Sequence, residues 1–363
     1  MKIRHTNTSK MQYQILLIFL VIYPMNVWSN SVDTIQTANT SIIREIHSTV
    51  LIKADTHEEL WNVPVCVSIP GDPITSYLRI NVADRHGKDQ SFGKIYYTSN
   101  DLFQTITPIN DPPEAFKHTF MPMQSDLPNF PKAVGHMQYS PPVYLDANTV
   151  IKSFTFKTDD VKNWTTTAKC KIVNNTLYAI ELGNAHTIEN SRRGLYEPHL
   201  VRWNNRFYMT GRAEDKRGYL LTSDDGLTWS TPQPWAWDDG EEIPMDQTMT
   251  KLLAHPDGLV LAYTRIRDDN TKTFRHRAPL HVADLDPKIH RLIRNTERII
   301  VPDKGMAVGN FWAWPITQQE TLIFTAEWPR DGRPTNGDIW ISRIKWRNPN
   351  TDITKEGAIQ SAQ

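Results

Sequence analysis

The stretch Thr222-Ser223-Asp224-Asp225-Gly226-Leu227-Thr228-Trp229 predicts the architecture of this chain. In a turn of this composition, the side chain of Asp224 folds back onto backbone N–H groups, and Gly226 supplies the positive φ that the turn requires. Trp229 is large enough to pack between neighbouring sheets. The stretch is therefore predicted to be a structural hairpin turn, defined by Thr222, Asp224, Gly226, Thr228 and Trp229.

Weaker copies of this turn recur along the chain. Residues 94–108 align with residues 218–232, because both contain a strand, a Thr-Ser turn and a trailing Thr-Pro pair. Residues 154–164 retain the aspartates and the tryptophan without the glycine, and alternating strands continue at 280–285 and 338–344. Five sites spaced by roughly sixty residues favour radial blades over a sandwich. We therefore predict an all-β fold, a β-propeller with five blades visible in the sequence.

Two other architectures remain open at this level. A sixth blade could be assembled from residues 48–80 with help from the C-terminus, as in a propeller that closes its ring by sharing strands between the chain ends. A generic β-sandwich with one accidental turn of this kind is the second alternative. No segment shows sustained helical periodicity, so all of these readings are all-β.

Charge and cysteine content limit the partners. The chain has 40 basic and 40 acidic residues and no polybasic stretch, so we expect no nucleic-acid partner. Its two cysteines, Cys66 and Cys170, allow one disulfide or two buried thiols and cannot build a metal site. We expect no metal and no cofactor, and the oligomeric state is not indicated.

The N-terminus has the pattern of a secretory signal. A basic segment at residues 2–10 precedes the apolar run 15–23, and Ser29 is a small residue at a plausible cleavage site. This pattern predicts a signal peptide over residues 1–30, with an uncleaved anchor as the alternative. Residues 31–363 are then expected to form a single propeller domain that is secreted or periplasmic, with no stable membrane insertion after cleavage.

The stretch from Gly194 to about Trp346 resembles secreted bacterial proteins of the sialidase-like glycoside hydrolases, in which the turn is called the Asp-box or BNR repeat. The resemblance implies a propeller hydrolase, related to exo-α-sialidases, that removes a terminal and acidic sugar from a glycan or oligosaccharide. Leu78-Arg79-Ile80-Asn81 departs from it, since true sialidases have an Arg-Ile-Pro motif. The matching segments include Glu197-Pro198-His199, Arg217-Gly218-Tyr219, Asp238-Asp239-Gly240, Tyr263-Thr264-Arg265, Phe274-Arg275-His276-Arg277-Ala278-Pro279-Leu280, Gly309-Asn310-Phe311 and Ala326-Glu327-Trp328.

Aligning the blades predicts which charged residues meet at one mouth of the central channel. Second strands are expected to end at Arg212, Arg265 and Glu327, so that two arginines and a glutamate occupy one repeat position in three blades. Glycosidic cleavage usually needs two carboxyl groups, and a guanidinium matches a sugar carboxylate bidentately. Sialidases, which the chain resembles, use a tyrosine backed by a glutamate together with an arginine clamp. The predicted catalytic residues are Glu197, Asp246, Tyr263, Glu327, His199 and His276, and the predicted substrate-binding residues are Arg212, Arg265, Arg277, Asn310, Trp312 and Trp328.

Two other function classes remain open beside the glycosidase. A propeller polysaccharide lyase would use His199 or His276 with a tyrosine as acid and base, while arginines neutralise a uronate. A non-catalytic carbohydrate-binding propeller would keep the aromatic residues and arginines and tolerate loss of the acids. An unsaturated uronate product would indicate the lyase, and a released reducing monosaccharide would indicate the hydrolase.

Overall fold

The computed structural model describes residues 41–53, 60–69, 72–83, 91–132, 134–135, 140–158, 161–328 and 337–353. The predicted signal peptide lies outside these residues, so that segment and the domain boundary after it stay predictions. Within the described part of the chain, no helix is long and apolar enough to cross a bilayer.

Short strands account for nearly all of the regular structure. In chain order the strands are β1 (Ile43–Ile52), β2 (Leu60–Ile69), β3 (Asp72–Ala83), β4 (Ser91–Ser99), β5 (Thr107–Ile109), β6 (Met123–Gln124), β7 (Val134–Gly135), β8 (Val143–Asp146), β9 (Thr149–Lys157), β10 (Asn163–Val173), β11 (Thr176–Leu182), β12 (Tyr196–Trp203), β13 (Arg206–Arg212), β14 (Gly218–Ser223), β15 (Gln233–Pro234), β16 (Lys251–His255), β17 (Gly258–Tyr263), β18 (Leu280–Asp286), β19 (Arg291–Leu292), β20 (Arg298–Val301), β21 (Phe311–Thr317), β22 (Glu320–Ala326) and β23 (Ile339–Trp346). One helix, α1 (Ala115–Thr119), and 3₁₀ turns at Asp268–Asn270, Phe274–His276 and Arg294–Thr296 complete the described elements.

The strands form five sheets, and each sheet is one blade of a β-propeller. Blade 1 has the order β2-β3-β4-β5, and blade 2 has β6-β11-β10-β9-β7 with β8 also paired to β9. Blade 3 is β12-β13-β14-β15, blade 4 is β16-β17-β18-β19 with β20 paired to β18, and blade 5 is β21-β22-β23-β1. The predicted all-β propeller of five blades is confirmed.

The ring closes through a strand shared between the chain ends. Strand β1 pairs antiparallel with β23, with Ile46 opposite Ile344 and Val50 opposite Trp340. Of the stretch considered above as a sixth blade, the end of β1 belongs to the last blade, and β2 and β3 belong to the first. The sixth blade is therefore wrong, whereas the sharing of strands between the chain ends is confirmed.

Apolar layers between neighbouring blades form the core. Leu253 and Val260 of blade 4 pack in one cluster with Ile323 of blade 5, and Ile151 of blade 2 packs with Leu200 of blade 3. Because both faces of most strands are covered, the strands are apolar on both sides rather than strictly alternating. The two cysteines lie in different clusters as buried free thiols, so the two-thiol alternative holds in this structure.

The turn at residues 222–229 has the predicted conformation with a different aspartate at its centre. Gly226 has a φ of +77°, as the pattern requires. The carboxylate that accepts from Leu227 N (2.8 Å) and Thr228 N (2.6 Å) belongs to Asp225, and the Thr228 hydroxyl also donates to it (2.8 Å). These hydrogen bonds hold the pKa of Asp225 below its usual range, and the bond from Thr228 N has the largest effect. Asp224 is exposed and pairs with Arg206 at 3.2 Å, so its predicted place at the centre of the turn is wrong.

The tryptophan of this turn joins two blades as predicted. Trp229 is buried, and its Nε1 donates to Thr167 Oγ1 of β10 at 2.8 Å, while the same hydroxyl donates to Gly226 O at 2.6 Å. The side chains of Trp229 and Ile151 belong to one apolar cluster. The turn of blade 3 is therefore fixed to the face of blade 2.

One of the weaker copies has the same hydrogen-bond pattern. In blade 1, Ser99 Oγ donates to Asp101 Oδ1 at 2.9 Å, and the backbone and hydroxyl of Thr105 donate to that carboxylate at 2.9 and 2.6 Å. The alignment of residues 154–164 with this turn is wrong, because β9 is a second strand and the third strand of blade 2 is β10. The two aspartates of this copy, at residues 159–160, lie outside the described residues.

Replacing Asp225 by alanine should destabilise the protein by about 1–2 kcal/mol, since four donors in a partly solvated turn lose their charged acceptor. The matched control is Asp224→Ala, which removes only an exposed ion pair and should change stability little. Thermal unfolding of both variants measures the difference. An equal loss of stability in the two variants would show that Asp225 is not the centre of the turn.

Candidate functional site

The innermost strands of two blades are entered through the same unusual backbone conformation. Glu197, at the start of β12, has a φ of +53°, and Gln247, which precedes β16, has a φ of +49°. Non-glycine residues avoid this region at a cost of about 1–3 kcal/mol, and such residues concentrate at functional sites. The predicted starts of these strands near Glu197 and Asp246 therefore coincide with strained backbone at equivalent repeat positions.

Four of the predicted site residues meet at this end of the channel. Glu197 Oε2 lies 3.0 Å from Arg212 Nη1, and both side chains are at least nine-tenths buried. Arg277 donates through Nη2 to Gln247 O (2.6 Å) and through Nη1 to Asn310 Oδ1 (3.4 Å). Burial, followed by the charge of Arg212, lowers the pKa of Arg277 to about 9, while Glu197 acts in the opposite direction. Glu197, Arg212 and Arg277, which are buried, and the half-buried Asn310 thus form one group contributed by three blades.

A tyrosine that sequence reasoning missed lies beside this group. The Tyr196 ring has the Arg193 guanidinium 4.3 Å and the Arg212 guanidinium 4.5 Å from its centroid. Burial raises the pKa of Tyr196, and the charges of Arg212 and Arg193 oppose that rise. Tyr196 adjoins Glu197 in sequence, so the search for a phenol next to the predicted acid could have found it.

Two predicted catalytic residues, the carboxyl candidate Asp246 and the proton-transfer candidate His276, form a pair at the edge of the group. His276 Nδ1 lies 3.3 Å from Asp246 Oδ2, and both side chains are partly exposed, at 24% and 21%. His276 ends the 3₁₀ turn Phe274–His276, where Arg275 and His276 both have a φ of +51°. The edge of Phe274 faces Trp328 with ring centroids 6.4 Å apart, which supports the turn from blade 5. The pair is open to solvent and adjoins Arg277 in sequence.

His199, on β12 of blade 3, is bonded to the innermost strand of blade 4. Its Nδ1 accepts from Leu252 N at 3.2 Å, so its proton is on Nε2. Burial, with the charges of Lys251 and Lys152 behind it, lowers the pKa of His199 well below its ordinary value. His199 is therefore neutral at neutral pH and serves as a donor rather than as a cation.

The two lysines beside His199 were not predicted. Lys152 of β9 and Lys251 of β16 are each 2% exposed, and burial lowers the pKa of both to about 7. Lys251 Nζ lies 4.5 Å from the ring centroid of Trp312, and Lys152 Nζ donates to Ser140 O. A lysine inside an apolar run such as Val150-Ile151-Lys152 is the signal that could have found them, since strand interiors rarely contain an ammonium group.

Three predicted site residues, Tyr263, Arg265 and Glu327, have hydrogen-bond partners outside the group of Glu197, Arg212, Arg277 and Asn310. Arg265 forms a two-point ion pair with Glu297 at 2.8 and 2.9 Å, and the Tyr263 hydroxyl donates to Glu297 Oε1 at 2.6 Å. Glu327 accepts from Asp338 N and Trp340 Nε1, both at 3.0 Å, and burial raises its pKa. Among the described residues, no ion pair or hydrogen bond joins these three side chains to Glu197 or Arg277. Their catalytic and binding roles stay predictions, and the structure gives each a structural partner.

The described ranges contain no cluster of three or more His, Cys, Asp or Glu residues arranged to hold a metal ion. The titratable groups of the site are instead arranged as ion pairs and buried cations.

The sequence matches no protein-family model, and no curated protein matches it. Solved structures with a similar fold include a Trypanosoma rangeli sialidase in complex with sialic acid, at 10% identity and a TM-score of 0.49, over 87% of this chain and 59% of that chain. A GH43 β-xylosidase/α-arabinofuranosidase from a compost microbial metagenome, in complex with xylotriose, has 10% identity and a TM-score of 0.46, over 84% of this chain and 94% of that chain.

A sucrose-6-phosphate hydrolase from Lactobacillus gasseri has 14% identity and a TM-score of 0.46, over 82% of this chain and 62% of that chain. The chain thus spans about three fifths of the length of the sialidase and of the sucrose-6-phosphate hydrolase. The sugars named for those structures belong to those proteins and assign no substrate to this chain.

Removing either buried ammonium should stabilise the protein, by about 1–3 kcal/mol at pH 7 for Lys152→Met or Lys251→Met. The folded pKa of about 7 lies below the unfolded value of about 10.4. The unfolded state therefore binds more protons between these values, and wild-type stability should rise with pH across this window. The gain in each variant should be largest at or below pH 7 and vanish near the unfolded pKa.

Chemical denaturation across this pH range, with the exposed-lysine variant Lys288→Met as control, measures the effect. Variants that are less stable than the wild type at every pH would mean that the ammonium groups stabilise the fold.

Proposed function

We propose that the protein is a propeller glycosidase that binds a terminal acidic sugar at the channel mouth and cleaves its glycosidic bond. The observation that carries the proposal is the group formed by the buried Glu197, Arg212 and Arg277 with the half-buried Asn310. Burying several charges is costly unless they are paired or functional. The pairing of Glu197 with Arg212 leaves Arg277, whose described partners are a carbonyl and an amide oxygen, as a cation for which a ligand carboxylate is the matching charge.

The roles follow from geometry and chemistry. A guanidinium presents two parallel N–H donors to a carboxylate, so Arg277, supported by Arg212, holds the acidic group of the sugar. Glu197 forms an ion pair with Arg212. Its carboxylate attacks the anomeric carbon or activates a water molecule. The Asp246–His276 pair, which is solvated, delivers the proton that the leaving oxygen requires.

The Asp246–His276 pair also supports a second candidate, a lyase acting on a uronate. In that reaction His276 removes the proton α to the sugar carboxyl group while Arg277 neutralises the carboxylate. The bond to the leaving oxygen at the β carbon breaks, a double bond forms in the ring, and the leaving oxygen is protonated. Both candidates use the same anion site, and their products differ.

Arg277→Met is expected to weaken binding of an acidic monosaccharide, such as glucuronate or sialic acid, by about 10–100-fold. Affinity for neutral sugars should not change, because the variant loses only a charge-assisted contact. Titration calorimetry with both sugar classes measures the effect, and Arg291→Met, on the exposed surface, is the matched control. Equal affinity of the wild type for acidic and neutral sugars would refute the anion site.

Turnover is tested with Asp246→Asn, which keeps the shape of a partly exposed side chain. The variant should lose about 10²–10⁴-fold in kcat while its affinity for the acidic sugar is retained. Release of a reducing monosaccharide by the wild type supports the hydrolase, and a product absorbing in the ultraviolet supports the lyase. Binding without any turnover in the wild type would instead identify a carbohydrate-binding propeller.

A further inference from the structure

A glycine of blade 5 lies against the side chain of Arg277. Gly309 directly precedes Asn310, and β21 begins at the next residue. A β-carbon at Gly309 would be 2.9 Å from Arg277 Cδ and 3.0 Å from Arg277 Cγ. Carbon atoms in van der Waals contact are about 3.5–4.0 Å apart, so this distance is too short for a side chain. The stem of Arg277 therefore occupies the space that a side chain at Gly309 would need.

Hydrogen bonds from two sides hold the backbone next to Gly309. Val308 N donates to Arg277 O at 2.6 Å, which ties this segment to blade 4. Within blade 5, the Thr325 hydroxyl donates to Val308 O at 2.8 Å and to Asn310 O at 3.1 Å. The two backbone segments cannot separate without loss of these bonds. Crowding at Gly309 would therefore have to be relieved by the movement of a side chain.

The other side chain close to Gly309 is also held in place. A β-carbon at Gly309 would lie 3.1 Å from Thr248 Oγ1. That oxygen accepts a hydrogen bond from Thr264 Oγ1 at 2.8 Å, and both threonines are buried. Because rotation of Thr248 would break this bond, the longer and more flexible Arg277 is the side chain that would move. A displaced Arg277 would lose its hydrogen bond to Gln247 O.

The backbone conformation does not itself require glycine at residue 309. Its φ lies outside the left-handed region, so alanine would add no backbone strain there. Gly258, at the start of β17, also has an ordinary φ, but a β-carbon there would have Ile42 Cδ1 as its nearest neighbour at 3.6 Å, an ordinary contact. Gly309 differs from Gly258 in the crowding beside Arg277, so Gly258 provides a matched control.

We propose that Gly309 is a positioning residue of the anion site, and that its lack of a side chain sets the preference for acidic over neutral sugars. The free space lets the Arg277 stem lie against blade 5 while its guanidinium donates to Gln247 O and Asn310 Oδ1. Pairing with a carboxylate depends on the orientation of the guanidinium as well as on its charge. This inference rests on the proposed function and adds a residue that acts on specificity through Arg277.

The first test is a stability cycle that needs no ligand. Gly309→Ala should lower Tm by about 2–6 °C, because an overpacked side chain strains its neighbours. Gly258→Ala should not lower it. Arg277→Ala removes Cγ and Cδ, so in that background Gly309→Ala should lower Tm by at most about half as much.

An equal loss of Tm in both backgrounds, or no loss in either, would overturn the inference. If Gly309→Ala alone does not fold, the same cycle is read from the yield of folded protein. Recovery of folding in the double variant then supports the contact, and a double variant that stays unfolded while Arg277→Ala alone folds would overturn it.

The second test compares glucuronate with glucose by titration calorimetry. Gly309→Ala should weaken binding of glucuronate by about 5-fold or more and leave the affinity for glucose unchanged, while Gly258→Ala should match the wild type for both sugars. In the Arg277→Met background, Gly309→Ala should cause no further loss of glucuronate affinity. Unchanged glucuronate affinity in Gly309→Ala, or equal weakening of both sugars, would overturn the positioning role.

The two proposals fail in different ways. If glucuronate affinity depends on Arg277 and is unaffected by Gly309→Ala, the positioning role is wrong and the proposed function stands. If the wild type binds no acidic sugar, the proposed function is wrong, and the stability cycle alone still decides whether Gly309 sets the position of Arg277.

Discussion

Every feature of the site depends on the pairing of β1 with β23, which closes the ring. Without it, blade 5 would end at an open edge and blade 1 would not be held beside blade 5. Closure forces the innermost strands of the blades to face one channel, and so brings Glu197 of blade 3 near Arg277 of blade 4 and Asn310 of blade 5. Residues far apart in sequence meet because the ring leaves their strands no other arrangement.

The consequence of this geometry is a concentration of buried basic side chains, Lys152, Arg212, Lys251 and Arg277, along the channel. Arg265 with Glu297, and Glu327 with two N–H donors, show how the chain satisfies a buried ionic group when the role is structural. Arg277, Lys152 and Lys251 differ, because burial is the largest influence on each of them and lowers its pKa. Ionisable groups whose pKa values are strongly shifted by burial concentrate at functional sites, so these three side chains mark the candidate site.

The sequence supported the architecture better than the site. One turn motif and its spacing were enough for the five blades, since the repeat is a backbone property encoded locally by Gly226 and Trp229. Within the turn, neighbouring Asp224 and Asp225 could not be told apart by pattern, because only the backbone path decides which carboxylate faces the N–H groups. The repeat position at the end of second strands correctly placed Arg212 beside Glu197. The position does not fix the direction of the side chain, and Arg265 at the same repeat position pairs with Glu297 instead. Lys152 was missed because only strand ends were searched for charges.

The account's central claim is that the positive charge collected in the channel binds the acidic part of a ligand. A crystal structure grown with glucuronate tests it most directly. The account predicts the sugar carboxylate within hydrogen-bond distance of the Arg277 guanidinium, with Glu197 still paired to Arg212. A sugar bound only on the outer surface of the blades, with Arg277 bonded to protein oxygens alone, would contradict it.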